Sequence, residues 1–339
     1  MDRSNPEYIL NEYITRMSAN KVVQHSTEWH ELRKYGIGGS QICKVIGSSE
    51  YGTMEEFLHE KVGITTFSSN EYTQWGNLFE EVVKTYIEIA KNCVILGDSI
   101  FDDSQIDKGI YYSPDGLTVI DGKITLMEFK CPFKRKLNNK IPSHYLSQVQ
   151  MGLDIIRICD SALYVEAVFR YCSLEQMNFV KGFNASMNQP GMGKNIEAIG
   201  FIGFTNSVEN APDHKFIDFG AKEDIKDLLK IANSGAIECH YFIYTPKKSH
   251  PKDGYSLQMY LEEFKNCNKN VIGVLPWKLI RVDIHSVERE NDFLKTHEPK
   301  IQEVVKILRD CKGKSPDECK KIIDAFVNPN CNDGDDICL

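Results

Sequence analysis

The 339-residue chain is predicted to fold as an α/β (α+β) protein in which helices flank a mixed central sheet. Two strand-forming runs, residues 117–120 and 123–126, are joined by an Asp-Gly turn and predict a hairpin. An amphipathic helix pattern over residues 75–91 precedes this hairpin, and an alternating strand pattern over residues 162–171 follows it. Because helical and strand patterns follow one another along the chain, they predict one sheet with helices packed on it.

Helices dominate the predicted N-terminal part of the chain. Apolar residues recur there at helical spacing, and capping residues or a proline mark where the helices start. The predicted helices begin after Asn5-Pro6, at Ser26, at Ser40 and at the capping box Thr53-x-x-Glu56.

The turn before the third helix has the sequence Gly-Ile-Gly-Gly-Ser over residues 36–40. Its glycines and the capping Ser40 leave free N–H groups at the start of a helix, where a phosphate binds readily. Arg33, just upstream, can hold the same anion through two hydrogen bonds. The alternative is a plain helix cap, and most turns of this kind are no more than that.

Glu80 occupies an unusual position on the long predicted helix. It lies outside both the apolar stripe and the polar face, and it borders Gly76, one turn away. We interpret Glu80 as an acid directed towards a ligand for which the glycine leaves room. Judged from the helix pattern alone, Glu80 could equally well be a glutamate at the boundary of the apolar stripe whose side chain reaches solvent.

The remaining elements predict a core that is interrupted by an insertion. Short strands are predicted at residues 94–96 and 110–112, a helix at residues 143–159, a strand at residues 277–284 and a helix at residues 292–311. Between residues 172 and 273 the pattern is irregular, with a candidate strand at residues 199–204 and a helix at residues 224–232. We therefore predict a core of residues 1–171 and 274–311, an insertion or subdomain of residues 172–273, and a partly disordered C-terminal tail of residues 312–339.

Composition predicts an intracellular protein in a reducing compartment. No apolar run approaches the roughly 20 residues needed to cross a membrane, and the N-terminus is too polar for a signal peptide. The eleven cysteines lack regular spacing, which favours free thiols over a disulfide framework. Neither the C-terminal cysteines nor the histidines have the spacing of a metal-binding motif.

The net charge of −8 argues against a protein that coats nucleic acid by bulk electrostatics. A local basic segment nevertheless extends from Lys130 to Lys140 and contains no acidic residue. We predict that Lys134, Arg135 and Lys136 contact DNA. An isolated run of this kind is more often a solvated loop, but this run directly follows a pair of acids.

Those acids are placed by the predicted hairpin. With Ile120 opposite Lys123, the register sets Asp115 opposite Glu128, with Cβ atoms about 4.5–5.5 Å apart. Two carboxylates at that distance repel one another unless they share a proton or bind a hard cation such as Mg²⁺. Lys130 falls on the same strand face as Glu128. The pattern therefore predicts a metal-dependent nuclease, whereas the alternative is a surface hairpin that ends in an ordinary Ser-Pro-Asp-Gly turn.

Six motifs follow one another along the chain. They are Trp29-His-Glu-Leu-Arg33, Gly38-Gly39-Ser40, Trp75-Gly-Asn-Leu-Phe-Glu80, Ser113-Pro-Asp115-Gly, Glu128-Phe-Lys130-Cys-Pro-Phe and Gln148-Val-Gln150. In this order they resemble the lambda-type (YqaJ-like) exonucleases of the PD-(D/E)xK superfamily, which occur in phages and large DNA viruses. The resemblance covers about residues 24–171, and residues 274–310 look like the closing strand and helix of that family. It implies a restriction-endonuclease-like core.

The resemblance further implies a catalytic site that uses Mg²⁺ or Mn²⁺, with two ions. By this resemblance, Asp115, Glu128 and the backbone carbonyl of Phe129 hold one ion. Glu80 helps to hold the second ion or its water, and Lys130 activates or orients the attacking water. The implied reaction is phosphodiester hydrolysis, which two ions about 3.5–4 Å apart stabilise.

The same resemblance assigns roles in binding the substrate. Gln148 positions the lysine or the water, while Arg33 and Ser40 bind the 5′-terminal phosphate at an end of double-stranded DNA. The family removes nucleotides in the 5′ to 3′ direction. The resemblance also implies a role in viral recombination, repair or genome processing. It further implies a single-strand annealing protein as a partner and the host cytoplasm as the location.

Several alternatives stay open at this point. A structure-selective endonuclease uses the same fold, and an iron–sulfur RecB-like nuclease does so with cysteine spacing that this chain lacks. A non-catalytic DNA-end-binding or host-interaction protein is the alternative outside the enzymes, although the acids and the lysine are intact. The insertion leaves open whether the chain forms the ring-shaped trimer known in the family.

Overall fold

A computed structural model describes residues 4–19, 27–66, 70–177, 197–206, 216–244, 257–268 and 270–328. Within these ranges the chain forms a mixed sheet with helices on both faces, which confirms the predicted fold class. The strands are β1 (Ile37–Gly38), β2 (Ile110–Tyr111), β3 (Gly116–Ile120), β4 (Lys123–Lys130), β5 (Ser161–Tyr171), β6 (Ala198–Asn206), β7 (Ile217–Asp218), β8 (Ile237–Tyr244) and β9 (Val271–Glu288).

The α-helices are numbered in chain order over the same ranges, and none of them is long and apolar enough to cross a membrane. A 3₁₀ turn over Gly39–Gln41 precedes the third helix. The helices are α1 (Pro6–Ser18), α2 (Thr27–Lys34), α3 (Ile42–Ile46), α4 (Met54–Lys61), α5 (Glu71–Lys91), α6 (Ser143–Ile155), α7 (Leu174–Met177), α8 (Lys226–Ala232), α9 (Leu257–Cys267), α10 (Phe293–Asp310) and α11 (Pro316–Val327).

The central sheet has the strand order β3-β4-β5-β9-β6-β8, and β7 pairs with β9. Strands β4 and β5 are parallel, whereas β3–β4 and β5–β9 are antiparallel, so the sheet is mixed as predicted. The hairpin has the predicted register, with Ile120 opposite Lys123 and Gly116 opposite Met127. Extending this register by one more pair places Asp115 opposite Glu128.

Among the described residues, the two largest apolar clusters lie on opposite faces of the sheet. Helix α5 packs on one face, where Trp75, Phe79 and Trp277 are fully buried. Helices α1, α3, α6 and α10 pack on the other face together with the C-terminal helix α11. The apolar stripe predicted for α5 is therefore the buried side of that helix, and Glu80 lies at its edge.

The strand predicted at residues 94–96 is wrong. Leu96 forms a single bridge with Leu117, and Val94 is 66% exposed. The chain turns away at Gly97, whose φ of 75° lies in the left-handed region, so the pairing cannot continue. The strand predicted at residues 110–112 exists, but it pairs with β1 outside the central sheet.

Residues 172–273 contribute strands to the same sheet as the rest of the chain. Strand β6 lies between β8 and β9, and β9 pairs with β5. The division into core, insertion and tail stays a prediction. Part of the predicted tail forms helix α11, which the sequence analysis missed, and it buries Ile323 and Cys319. The predicted helix start at Ser26 and residues 329–339 of the predicted tail lie outside the described residues.

Candidate active site

The hairpin and α5 bring acids and a lysine together at one end of the central sheet. Lys130 forms an ion pair with Glu128, and its Nζ lies 4.0 Å from Oδ2 of Asp115. Asp115 also accepts a hydrogen bond of 2.7 Å from the backbone amide of Phe129. Glu128 is completely buried, whereas about a fifth of the Asp115 and Lys130 side chains is exposed. The site therefore opens to solvent on the side of the lysine.

Glu80 belongs to the same electrostatic group. Burial raises its pKa, the charge of Lys130 opposes this shift, and the negative charge of Glu128 adds to it. Burial and the charge of Glu128 likewise raise the pKa of Asp115 well above its ordinary value. For Lys130, burial lowers the pKa, but the carboxylates of Glu128 and Asp115 outweigh burial and raise it. Three acidic side chains, Glu80, Asp115 and Glu128, thus share one lysine, Lys130.

Two further side chains hold Glu128. Gln148, which lies on α6, donates from Nε2 to Oε1 at 2.6 Å. The hydroxyl of Tyr112, the residue after β2, donates to Oε2 at 2.9 Å. Gln148 is predicted to position the lysine or the water, and in the structure it contacts the carboxylate that the lysine also contacts. Tyr112 was not predicted to belong to the site, although two tyrosines directly before Ser-Pro-Asp were the available signal.

Arg33 lies beside the active site in a cluster of cations and aromatic rings. Its guanidinium lies 3.8 Å from the ring centroid of Trp29 and 5.3 Å from that of Tyr111. Ser40 is exposed in the 3₁₀ turn, and no hydrogen bond joins it to Arg33 within the described residues. The turn contacts the active site, because a Cβ on Gly39 would lie 3.4 Å from Gln148 Cγ.

Lys61 joins this cluster, and the sequence analysis missed it. Its Nζ donates to the backbone oxygen of Arg33 at 2.5 Å and contacts the Tyr111 hydroxyl at 2.9 Å. Burial and the neighbouring charge of Arg33 lower the pKa of Lys61 to about 7, although Glu60 opposes the shift. Among the described residues, no carboxylate lies within 4.0 Å of either cation. An anion bound between these two cations would offset their mutual repulsion.

The predicted DNA-contacting residues are placed differently from one another. Lys134 pairs with Glu71 and is 62% exposed, and Lys136 is exposed. Arg135 forms an ion pair with Glu166, which is buried on β5 opposite Lys130. Arg135 is therefore engaged inside the protein. Glu166 was also missed, although an acid within the apolar run Val-Glu-Ala is visible in the sequence.

The residues present fit a divalent metal ion. Asp115, Glu128 and Glu80 are oxygen donors of the kind that Mg²⁺ and Mn²⁺ prefer, and burial, together with the charge of neighbouring carboxylates, raises the pKa of Glu80 and Asp115. The fourth predicted ligand is the backbone carbonyl of Phe129. The backbone amide of the same residue donates a hydrogen bond to Asp115. A separate group of possible ligands, Glu55, His59 and Asp324, joins α4 to α11 and contains none of the predicted residues.

The raised pKa values predict that metal binding depends on pH. Without metal, carboxyl groups with a raised pKa stabilise the fold at low pH, and this stabilisation falls as pH rises through the raised values. A metal ion needs the ionised carboxylates, so its effect should grow with pH. We expect Mn²⁺ to raise the melting temperature more at pH 8 than at pH 5, and Asp115→Asn to reduce the difference. An equal increase at both pH values would contradict a metal site at these residues.

Acids from a hairpin and a helix, grouped around one lysine, are typical of the sites of nucleases. Residues 28–156 match the family described as the YqaJ-like viral recombinase domain. The match confirms the resemblance inferred from the six motifs for this part of the chain, and it supports a nuclease that acts on DNA. The matched region contains every predicted catalytic residue, from Glu80 to Gln148.

The particular relatives come from a large DNA virus. The chain is 27% identical over 330 residues to Protein D345L of African swine fever virus (strain Badajoz 1971 Vero-adapted), covering 89% of this chain and 90% of that protein. It is 26% identical over 318 residues to Protein D345L of the African swine fever virus isolate Tick/South Africa/Pretoriuskop Pr4/1996, covering 86% of this chain and 87% of that protein.

Two crystal structures resemble the fold at low sequence identity. Both are of the alkaline exonuclease LHK-Exo from Laribacter hongkongensis, one of them in complex with dAMP. They are 12% identical to this chain and cover 89% of it and 98% of their own chains, with TM-scores of 0.43 and 0.41.

Proposed function

We propose that this protein is a divalent-metal-dependent exonuclease that hydrolyses double-stranded DNA from its ends in the 5′ to 3′ direction. The observation that carries the proposal is the position of Lys130, which contacts Glu128 and lies 4.0 Å from Asp115, with Glu80 in the same group. The family match over these residues supports it. The activity serves viral recombination, repair or genome processing.

Each side chain of the site has a proposed role in hydrolysis. Asp115, Glu128, Glu80 and the carbonyl of Phe129 would hold the metal, which when bound would polarise a water and stabilise charge on the phosphate oxygens. Lys130 orients the attacking water and carries positive charge towards the scissile phosphate. Gln148 fixes the carboxylate of Glu128 by its hydrogen bond of 2.6 Å.

Arg33, Lys61 and Ser40 form the proposed pocket for the 5′-terminal phosphate. Both cations lack a carboxylate within 4.0 Å in the described part of the chain, and Trp29 and Tyr111 form the walls. Burying two like charges side by side is costly, and a phosphate dianion removes that cost. The 3₁₀ turn that carries Ser40 contacts Gln148, so the pocket adjoins the catalytic site.

The rest of the chain serves substrate binding in this proposal. Lys134 and Lys136, which are exposed, line the approach of the duplex, while Arg135 holds the basic segment in place through Glu166. We propose residues 1–171 and 274–311 as the nuclease core, residues 172–273 as an insertion whose strands extend the central sheet, and residues 312–339 as a C-terminal segment that includes helix α11. A single-strand annealing protein is the proposed partner for the product strand, and the host cytoplasm the location.

Digestion of end-labelled DNA tests the proposal. Linear duplex labelled at either the 5′ or the 3′ end is incubated with Mg²⁺ or Mn²⁺, with covalently closed circles as the control. We expect release from the 5′ end first and intact circles. Nicked circles would identify an endonuclease, and no cleavage with either ion would identify a non-catalytic DNA-binding protein.

Removing a cation from the phosphate pocket should remove the preference for phosphorylated ends. Arg33→Ala and Lys61→Met should each lower the ratio of cleavage rates for 5′-phosphate and 5′-hydroxyl ends by about tenfold, as expected for one lost charge-assisted hydrogen bond. Lys34→Ala changes the exposed residue next to Arg33 and serves as the control.

The same ratio should depend on pH in the wild-type protein. Lys61 has a pKa of about 7, so it loses its charge as pH rises above that value, whereas a terminal phosphate with a pKa near 6 stays dianionic. We expect the preference for phosphorylated ends to fall between pH 7 and pH 9, and Lys61→Met to flatten this profile. A preference that survives both substitutions would place the phosphate pocket elsewhere.

A further inference from the structure

The two oxygens of Glu128 have different environments. Oε2 accepts a hydrogen bond of 2.9 Å from the Tyr112 hydroxyl, and this contact is internal because Tyr112 is 1% exposed and Glu128 is fully buried. Oε1 accepts from Gln148 and Lys130, and the lysine side chain is 22% exposed. One oxygen therefore accepts from a buried hydroxyl, and the other accepts from Gln148 and from the partly exposed Lys130, whose ammonium group a cation could replace.

The ring of Tyr112 is held by two glycines from different elements. A Cβ on Gly39, in the 3₁₀ turn, would lie 2.4 Å from the Tyr112 ring. A Cβ on Gly152, in α6, would lie 2.5 Å from the same ring and 2.8 Å from its hydroxyl oxygen. Any larger residue at either position would displace the ring. The sequence thus leaves space on both sides for one hydroxyl to reach Glu128.

We infer that Tyr112 is a positioning residue that leaves Glu128 a single oxygen for a cation and thereby favours Mg²⁺ over Ca²⁺. The inference rests on the proposed metal-dependent function. Mg²⁺ requires compact octahedral coordination, whereas Ca²⁺ takes more oxygen ligands and often binds both oxygens of a carboxylate. A carboxylate with one oxygen engaged by a buried hydroxyl suits the smaller ion.

The hydroxyl of Tyr112 is the donor in this contact, because the oxygens of an ionised carboxylate can only accept hydrogen bonds. Removing a group that hydrogen-bonds to a metal ligand commonly changes the metal affinity about 10–100-fold.

The test is titration of the full-length protein with MgCl₂ and with CaCl₂ by calorimetry, without DNA. Tyr112→Phe deletes only the hydroxyl and keeps the ring between the two glycines. We expect Mg²⁺ to bind about tenfold more weakly and Ca²⁺ to bind as before or more tightly, so that the preference for Mg²⁺ falls. In digestion assays, the Mg²⁺ concentration needed for half-maximal rate should rise by a similar factor.

Tyr86→Phe is the matched control, because it removes another buried tyrosine hydroxyl that is bonded to a carboxylate, Glu197, which is not one of the proposed metal ligands. This variant should lower the melting temperature and leave both metal titrations unchanged. Unchanged binding of both ions to the Tyr112→Phe protein would overturn the inference, as would equal weakening of both. A wild-type protein that binds neither ion would refute the proposed metal-dependent function itself, and the inference with it.

Discussion

Asp115→Asn is expected to lower the rate of DNA hydrolysis by at least about 10³-fold, the equivalent of roughly 4 kcal/mol in the transition state. The asparagine has nearly the same shape, and its side-chain oxygen can still accept the hydrogen bond from the Phe129 amide. It removes the negative charge that the proposed metal needs. The measurement is the rate of release from 5′-labelled duplex at saturating Mg²⁺.

The loss should not come from unfolding. Burial and Glu128 raise the pKa of Asp115, so in the metal-free protein the charged form destabilises the fold at neutral pH. Asp115→Asn should therefore leave the melting temperature unchanged or raise it, and duplex binding in Ca²⁺ should persist. Asp121→Asn, in the exposed turn of the same hairpin, is the control that should keep full activity. Undiminished hydrolysis by Asp115→Asn would refute the metal role.

The sequence predicted the hairpin and its acids because short-range rules determine them. A two-residue turn sets the register, and the register sets Asp115 beside Glu128 and Lys130 on the same strand face as Glu128. The helical phase of α5 in the same way predicted that Glu80 lies at the border of the buried stripe. Each of these inferences needs only residues within one element or across one turn.

Tyr112, Lys61 and Glu166 were missed because tertiary packing creates their roles. Lys61 and Tyr111 are separated by 50 positions in the sequence, and the Tyr112 ring fits only because glycines from two other elements meet there. Arg135 is a case in which the sequence showed the charge but not its partner. The charge led to a predicted DNA contact, and the fold pairs the side chain with Glu166. Charge patterns identify which residues carry charge but not which partner the fold supplies.

Local propensity also failed where the chain had a competing turn. Residues 94–96 are β-prone, but the left-handed Gly97 ends the pairing after one bridge to Leu117. The helix α11 was missed because the cysteines and the polar end of the chain suggested a tail, although Ser315 and Glu318 form a capping box. A capping box followed by apolar residues at helical spacing was the signal that could have identified it.

Lys130→Met is expected to lower turnover by about 10²–10⁴-fold while leaving duplex binding within a few fold. The methionine keeps most of the side-chain length but loses the charge that contacts Glu128 and faces Asp115. Because Lys130 alone among the described residues lies between these two carboxylates, its loss should also strengthen their mutual repulsion. The variant should therefore lose stability at pH 8 more than at pH 5, and Mn²⁺ should restore it.

The measurement separates a catalytic role for Lys130 from a simple phosphate contact. Single-turnover rates give the effect on chemistry, and duplex binding in Ca²⁺ gives the effect on affinity. Lys123→Met, at the exposed start of the same strand, should change neither quantity. If Lys130→Met weakens binding as much as it slows hydrolysis, the lysine holds a phosphate in the ground state, and another group must orient the water. A loss confined to the chemical step, in a protein that Mn²⁺ still stabilises, would assign Lys130 to the transition state and leave the carboxylates as the metal ligands.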